Sequence, residues 1–204
     1  MVKRVVLFVD YQNAYRRARD AFHDHNADPY WMGQFHPASL GALLAGRRND
    51  RDRQLHQVRM YRGMPEAAME KKAHSAARRQ VSSWIRDPLV SATTRPLRYP
   101  RNYPTVRAQE KGIDVQLALD FAMMAVRGEY DIGILMSGDT DLHPALEEVM
   151  PLGGKTVEVA TWEPLPGRRR FRVRLAGLSA NLQPYCHWIG HSDYQTIQDS
   201  TNYA

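Results

Sequence analysis

The chain has 204 residues, 43% of them hydrophobic, and its 28 lysines and arginines exceed 22 acidic residues to leave a formal charge of +6. That length sustains one substantial α/β core, and a basic surplus without a long amphipathic basic helix points to nucleic acid rather than to an acidic membrane. The single cysteine, Cys186, excludes an internal disulfide framework and a cysteine-rich zinc site.

Met1-Val2-Lys3-Arg4 runs straight into a strand without a small-residue cleavage site, and no apolar run approaches the roughly 20 residues that span a bilayer. A cytoplasmic protein is the expectation. Val5–Val9 is β-branched and aromatic throughout, the pattern of a central parallel strand buried on both faces. Asn13 to about Ala21 reads as the helix that follows. Asp24–Pro37 reads as a loop, Ala38–Ala45 as a short helix, and the charged stretch Arg47–Arg53 as a solvated connection. Leu55–Tyr61 is a second strand. From Glu66, apolar residues Met69, Ala73, Ala76, Ala77, Val81 and Trp84 recur at helical spacing until Pro88. Leu89–Leu97 is a third strand. Gly112 to about Arg127 is a helix with Ile113, Leu117, Ala118, Phe121 and Met124 on one face. Met123, Met124 and Trp84 are assigned to the core. Ile132–Met136 is a buried strand, His143–Met150 a helix closed by Gly153-Gly154, and Thr156–Ala160 a fifth strand. Pro164–Arg170 reads as a basic loop, Leu182–Ile189 as a further edge strand, and the tail after Gly190 as loosely ordered. Strands alternating with helices imply a parallel sheet with right-handed crossovers.

Three aspartates stand where apolar strands end or a helix begins: Asp10, Asp114 and Asp139. A parallel sheet presents every strand's carboxyl end to one rim, where ligands bind. Asp141, two residues beyond Asp139, can share that site or cap the next helix. Asp114 reads equally as a first-turn acid favoured by the helix dipole, and Asn13 as a plain cap or a donor to phosphate or water. An all-oxygen carboxylate site suits Mg²⁺ or Mn²⁺. Between Arg95 and Lys111, arginines alternate with Tyr99 and Tyr103, a composition suited to single-stranded nucleic acid or to an ordinary exposed loop. His23 and His25 lack a third soft ligand, and Asp120 falls off the Asp114 face and reads as structural.

Val9-Asp10-Tyr11-Gln12-Asn13, Lys111-Gly112-Ile113-Asp114 and Ile132–Met136 followed by Ser137-Gly138-Asp139-Thr140-Asp141 together resemble the NYN domain, a PIN-like nuclease group that includes LabA-like bacterial proteins. The likeness covers roughly Val5 to Ala160, with an unmatched interior from Phe22 to Leu55. It implies an α/β, PIN-like, Rossmann-like three-layer fold with a central parallel sheet in the order 3-2-1-4-5. It places the nuclease domain at residues 1–163, with 164–204 as an extension packed on or trailing from it. It implies metal acids at Asp10, Asp114, Asp139 and Asp141, Asn13 as a catalytic companion, Mg²⁺ or Mn²⁺, and hydrolysis of RNA phosphodiesters. Lys111, Arg101, Arg107 and Ser137 are the expected substrate contacts. PIN-like sites often carry a further acid after the second strand, for which Glu66 and Glu70 are the candidates, matched to no family position. A homo-oligomer or a protein partner is a candidate source of specificity. The competing readings are a nuclease fold kept as an RNA-binding or scaffolding module, and a small-molecule phosphohydrolase, whose Asp-x-Asp first-strand motif Asp10-Tyr11-Gln12 lacks.

Overall fold

The computed structural model describes residues 2–48, 52–170, 175 and 182–204. In chain order the elements are β1 (Lys3–Asp10), α1 (Tyr11–Phe22), α2 (Pro37–Gly46), β2 (Arg53–Met64), α3 (Lys71–Trp84), β3 (Val90–Pro96), α4 (Ile113–Val126), β4 (Ile132–Met136), α5 (His143–Val149), β5 (Thr156–Trp162), β6 (Tyr185–Ile189) and α6 (His191–Ile197). A short 3₁₀ turn, Thr140–Leu142, leads into α5.

Val5 to Val9 are each 0% exposed, so β1 must be covered on both faces. Side chains alternate across the strand. Val5, Leu7 and Val9 join one core with Tyr11, Phe35, Leu40 and Trp162. Val6 and Phe8 join a second with Leu117, Phe121, Tyr130 and Leu146. Helices α1 and α2 supply the first layer and α4 and α5 the second, which makes the predicted three-layer α/β sandwich.

The sheet is parallel throughout and ordered β3-β2-β1-β4-β5-β6. The expected order 3-2-1-4-5 stands, with β6 added beyond β5. Because β1 lies between β2 and β4, the crossovers diverge on either side of it, and a crevice opens at the carboxyl ends of β1 and β4.

Four local expectations need correction. The tail after Gly190 is tied down: Tyr194 of α6 is 0% exposed, stacks on Phe22 at 4.8 Å, and its hydroxyl accepts the Gly33 amide at 2.9 Å. The described ends of Arg47–Arg53 are not simply solvated. Arg47 pairs with Asp193, Arg48 with Glu158 at 3.2 Å, and Arg53 grips both oxygens of buried Glu158 at 2.8 Å. Helix α3 starts at Lys71 rather than Glu66, because the chain after Pro65 first closes a turn from the Glu70 amide to the Glu66 carbonyl at 2.8 Å. Finally, Met123 is exposed with Val115, Leu119 and Val126, since α4 is apolar on its outer face as well as its inner one. Trp84 and Met124 are buried as expected. No helix among the described residues is long and apolar enough to cross a membrane.

Candidate active site

Asp10 ends β1 and caps α1, its Oδ1 accepting the Asn13 amide at 3.1 Å. Its Oδ2 accepts the Ser137 hydroxyl at 3.0 Å, which ties the end of β1 to the residue after β4. The Ser137 Oγ in turn accepts the Asp139 amide at 3.1 Å, and Asp139 Oδ1 accepts the Asp141 amide at 3.0 Å to cap the 3₁₀ turn. The Asn13 side-chain oxygen accepts the Gly138 amide and Arg17 Nε, both at 2.8 Å. A Cβ at Gly138 would meet the Arg17 guanidinium, so any side chain there would push that flexible group off its Asn13 contact. These bonds hold Asp10 and Asp139 in fixed relation before any ligand arrives.

A further carboxylate enters from the chain before α4. Glu110 Oε1 accepts the Gly63 amide near the end of β2 at 2.5 Å. A Cβ on Gly63 would lie 2.7 Å from Glu110 Cγ and would also strike Leu97, so glycine is what lets this carboxylate reach the strand. Gly63→Ala should displace Glu110 and reduce any activity of the cleft by about tenfold, the lower part of the range for disturbed supporting contacts, with the fold retained. Unchanged activity in a folded Gly63→Ala protein would show that the Glu110 position does not matter.

Asp10, Asn13, Glu110 and Asp139 line one cleft of about 330 Å³, with Arg16 and Arg17 on its flank. Burial pushes the Asp10 carboxyl up to about 6; the charges of Glu110 and Asp139 add to that, while the Asn13 amide and Ser137 hydroxyl oppose it. Burial also raises Glu110, against the Gly63 amide, and the charge of Asp114 adds to the rise. The acids therefore sense one another across the crevice.

Asp114 lies half-buried in the first turn of α4 and Asp141 is exposed; neither lines the cleft. Among the described residues, no three histidine, cysteine, aspartate or glutamate side chains gather into a ready metal cage. Glu66 and Glu70 do not line the cleft either. The Tyr99 hydroxyl accepts the Glu66 amide at 3.0 Å and donates to Glu70 Oε2 at 2.7 Å. The further acid facing the cleft is Glu110. The signal for it was a carboxylate at the head of Glu110-Lys111-Gly112-Ile113-Asp114, hidden within a segment read for its arginines.

Lys111, Arg101 and Arg107 are exposed on the segment between β3 and α4, outside the cleft lining. Ser137 is 4% exposed, and its hydroxyl is committed to Asp10 rather than offered outward. Asp120 is structural as expected, bonded to Arg59 at 2.9 Å and to the Tyr61 hydroxyl at 2.8 Å.

Comparison with protein families finds that the NYN domain model matches residues 4–170. Among solved structures, a Vibrio parahaemolyticus protein of unknown function is similar at 19% identity with a TM-score of 0.49, over 78% of this chain and 82% of that chain. No curated protein matches.

Proposed function

The chain belongs to the NYN domain family, a PIN-like nuclease fold, and on that premise we propose that it is a Mg²⁺- or Mn²⁺-dependent ribonuclease acting on RNA phosphodiesters in the cytoplasm. The nuclease proper occupies residues 1–163, and 164–204 complete the same domain through β6 and α6. The observation that carries this reading is the convergence of Asp10, Glu110 and Asp139 on one cleft at the carboxyl ends of the central strands.

The donor set fits a hard divalent ion. It is all oxygen, and Mg²⁺ keeps several waters while binding one or two carboxylates, so acids that face one cleft without closing on each other suit it. Asp10 and Asp139 would hold the ion, with Asp114 and Asp141 as outer carboxylates. When bound, it supplies neutralisation of phosphate charge and a more acidic water. Glu110 Oε2, the oxygen not engaged with Gly63, would be the base available to take a proton in the cleft. Arg16 offers its guanidinium to the phosphate from the flank, and Lys111, Arg101 and Arg107 hold the backbone beyond it. Asn13 serves mainly by fixing Gly138; what it can still offer a ligand is its amide nitrogen.

The raised carboxyl of Asp10 gives this proposal a pH signature. Holding a cation requires the ionised form, so at limiting metal, cleavage should climb as pH rises through about 6 and level off above it, and excess metal should move the rise to lower pH. For stability the sign is opposite: the contribution of a raised carboxyl is full at low pH and is lost as pH rises through about 6. Asp10→Asn should therefore melt higher than wild type near neutral pH while losing activity. Rates on labelled single-stranded RNA across this pH range, with and without chelator, test the proposal. A rate that ignores both pH and chelator would overturn it. The absence of a ready three-ligand cage among the described residues favours one alternative, an RNA-binding module without turnover. That reading predicts RNA bound but intact under all these conditions.

A further inference from the structure

The acid cleft does not end at its own walls. Gln12 lines both it and a second pocket of about 490 Å³, within the range of roughly 300–1,000 Å³ typical of ligand sites. One wall of this second pocket is aromatic, formed by Tyr15, Tyr30 and Trp31. Helix α3 contributes Ala73, Ala76 and Ala77 to the same lining, small side chains that leave room beside the aromatic rings. Tyr30 and Trp31 meet edge to face at 5.2 Å and 85°, so a planar ring entering this pocket can stack on one of them and meet the edge of the other.

The floor holds an unusual cation. Arg62, on β2 next to Gly63, is 8% exposed; the Glu110 carboxylate acts on it through space, without a direct ion pair among the described residues. Its guanidinium lies 4.8 Å from the centre of the Tyr11 ring and donates to Gln80 Oε1 at 2.5 Å, while its Nε has no acceptor. A buried guanidinium with an unused N–H and no carboxylate in direct contact favours a ligand rich in acceptors.

Tyr203 then joins this slot to a third groove, about 680 Å³, lined by Ser75, Arg78, Arg79, Ser82 and Ser83 of α3 and by Arg86 just beyond its end. Arginine and serine side chains are the usual partners of phosphate oxygens. In order, the surface therefore offers an acid cleft, a stacking slot over a buried arginine, and a basic groove. The repeating chemistry of single-stranded RNA, a phosphate followed by a base followed by further phosphates, matches that order.

Building on the ribonuclease reading, we propose that single-stranded RNA leaves the acid cleft toward α3, inserts the base next to the scissile phosphate between Tyr15, Tyr30 and Trp31 and the alanine face of α3, and runs its following phosphates along Arg78 and Arg86. This path carries the strand on one side of the scissile phosphate, and Lys111, Arg101 and Arg107, between β3 and α4, hold it on the other. Tyr30 and Trp31 belong to the interior segment that the sequence motifs leave unmatched, so the slot is built by residues outside those motifs.

The test uses the full chain. Trp31→Ala should raise KM for labelled single-stranded RNA about tenfold, from lost stacking, with kcat within about twofold; Trp31→Phe should restore most of it. Arg78→Ser with Arg86→Ser should weaken RNA binding and flatten its salt dependence. Substrates carrying one abasic nucleotide at successive positions locate the slot. Wild type should lose affinity at the position next to the cut, and Trp31→Ala should be indifferent there. If wild type cleaves RNA but these variants bind and cut like it, with no abasic position mattering, the path is wrong while the nuclease stands. If wild type neither binds nor cuts RNA, the nuclease reading fails and takes the path with it.

Discussion

Glu110→Gln is expected to lower RNA cleavage by on the order of 100-fold or more, whereas Glu66→Gln and Glu70→Gln should stay within about twofold of wild type. Glutamine preserves the size of the side chain, and its amide oxygen can still accept the Gly63 N–H that Glu110 Oε1 accepts at 2.5 Å. What disappears is a negative charge in a cleft shared with Asp10 and Asp139. Losing it removes the candidate base and a charge that draws a cation into the cleft. It should also let the Asp10 carboxyl fall, because the Glu110 charge is one of the causes that raise it to about 6. The pH–rate curve of any residual activity should thus move to lower pH. Glu70 bonds the Tyr99 hydroxyl and Glu66 offers that same hydroxyl its backbone amide, so neither side chain has business in the cleft. Initial rates with matched melting temperatures decide the matter. Equal losses from Glu110→Gln and Glu70→Gln would mean that the acid facing the cleft has been misassigned.

Glu158→Gln is expected to be the most destabilising single substitution of those considered, by about 3–5 kcal/mol. Glu158 sits in β5 at 0% exposure, and its two oxygens accept both Arg53 terminal nitrogens and His187 Nε2, all at 2.8 Å. Burial would push such a carboxyl up, but the bonds from Arg53 and His187 prevail and hold it at about 2. The sign follows from that depression. Its stabilising contribution is full above the ordinary carboxylate range and is lost only as pH falls toward 2. Glutamine cannot balance the Arg53 guanidinium, whose side chain is 2% exposed, and the uncompensated buried charge is the main cost. In a chain of this length that corresponds to a fall in melting temperature of about 6–20 °C. Glu158 does not line the acid cleft, so the protein that remains folded should keep its activity per molecule. Thermal and urea unfolding at neutral pH give the number, and a loss below about 1 kcal/mol would show the cluster to be incidental.

The central strands were legible because a run such as Val5–Val9 has few other fates when both faces must be covered. Asp10 and Asp139 were legible for the same reason: a carboxylate that ends a buried strand lies on the rim by topology alone. Glu110 was not, because its place depends on the Gly63 amide in a strand 47 residues away. Glu158 reads as a charge out of place in an apolar strand until Arg53, 105 residues earlier in the chain, supplies its partner. The same long-range pairing turned Arg53 from a surface residue into a buried one. The tail misled by its polarity. Tyr194 and Ile197, one helical turn apart, anchor it to the core, and two apolar residues are too few to register as a periodic pattern. Met123 shows the reverse limit. Periodicity identified the buried face of α4, but an outer face that is also apolar gives composition no way to say which methionine is inside.

The central claim is metal-dependent cleavage at the Asp10–Glu110–Asp139 cleft, and its most direct measurement is hydrolysis of a labelled single-stranded RNA with Mn²⁺ or Mg²⁺ by wild type and by Asp139→Asn. Asparagine keeps an oxygen to accept the Asp141 amide that Asp139 Oδ1 accepts at 3.0 Å, so the 3₁₀ turn should survive and melting confirms the fold. The account predicts metal-dependent cutting by wild type and none above background by Asp139→Asn. Equal cutting by both proteins, or intact RNA with a wild type that binds it, would contradict the claim.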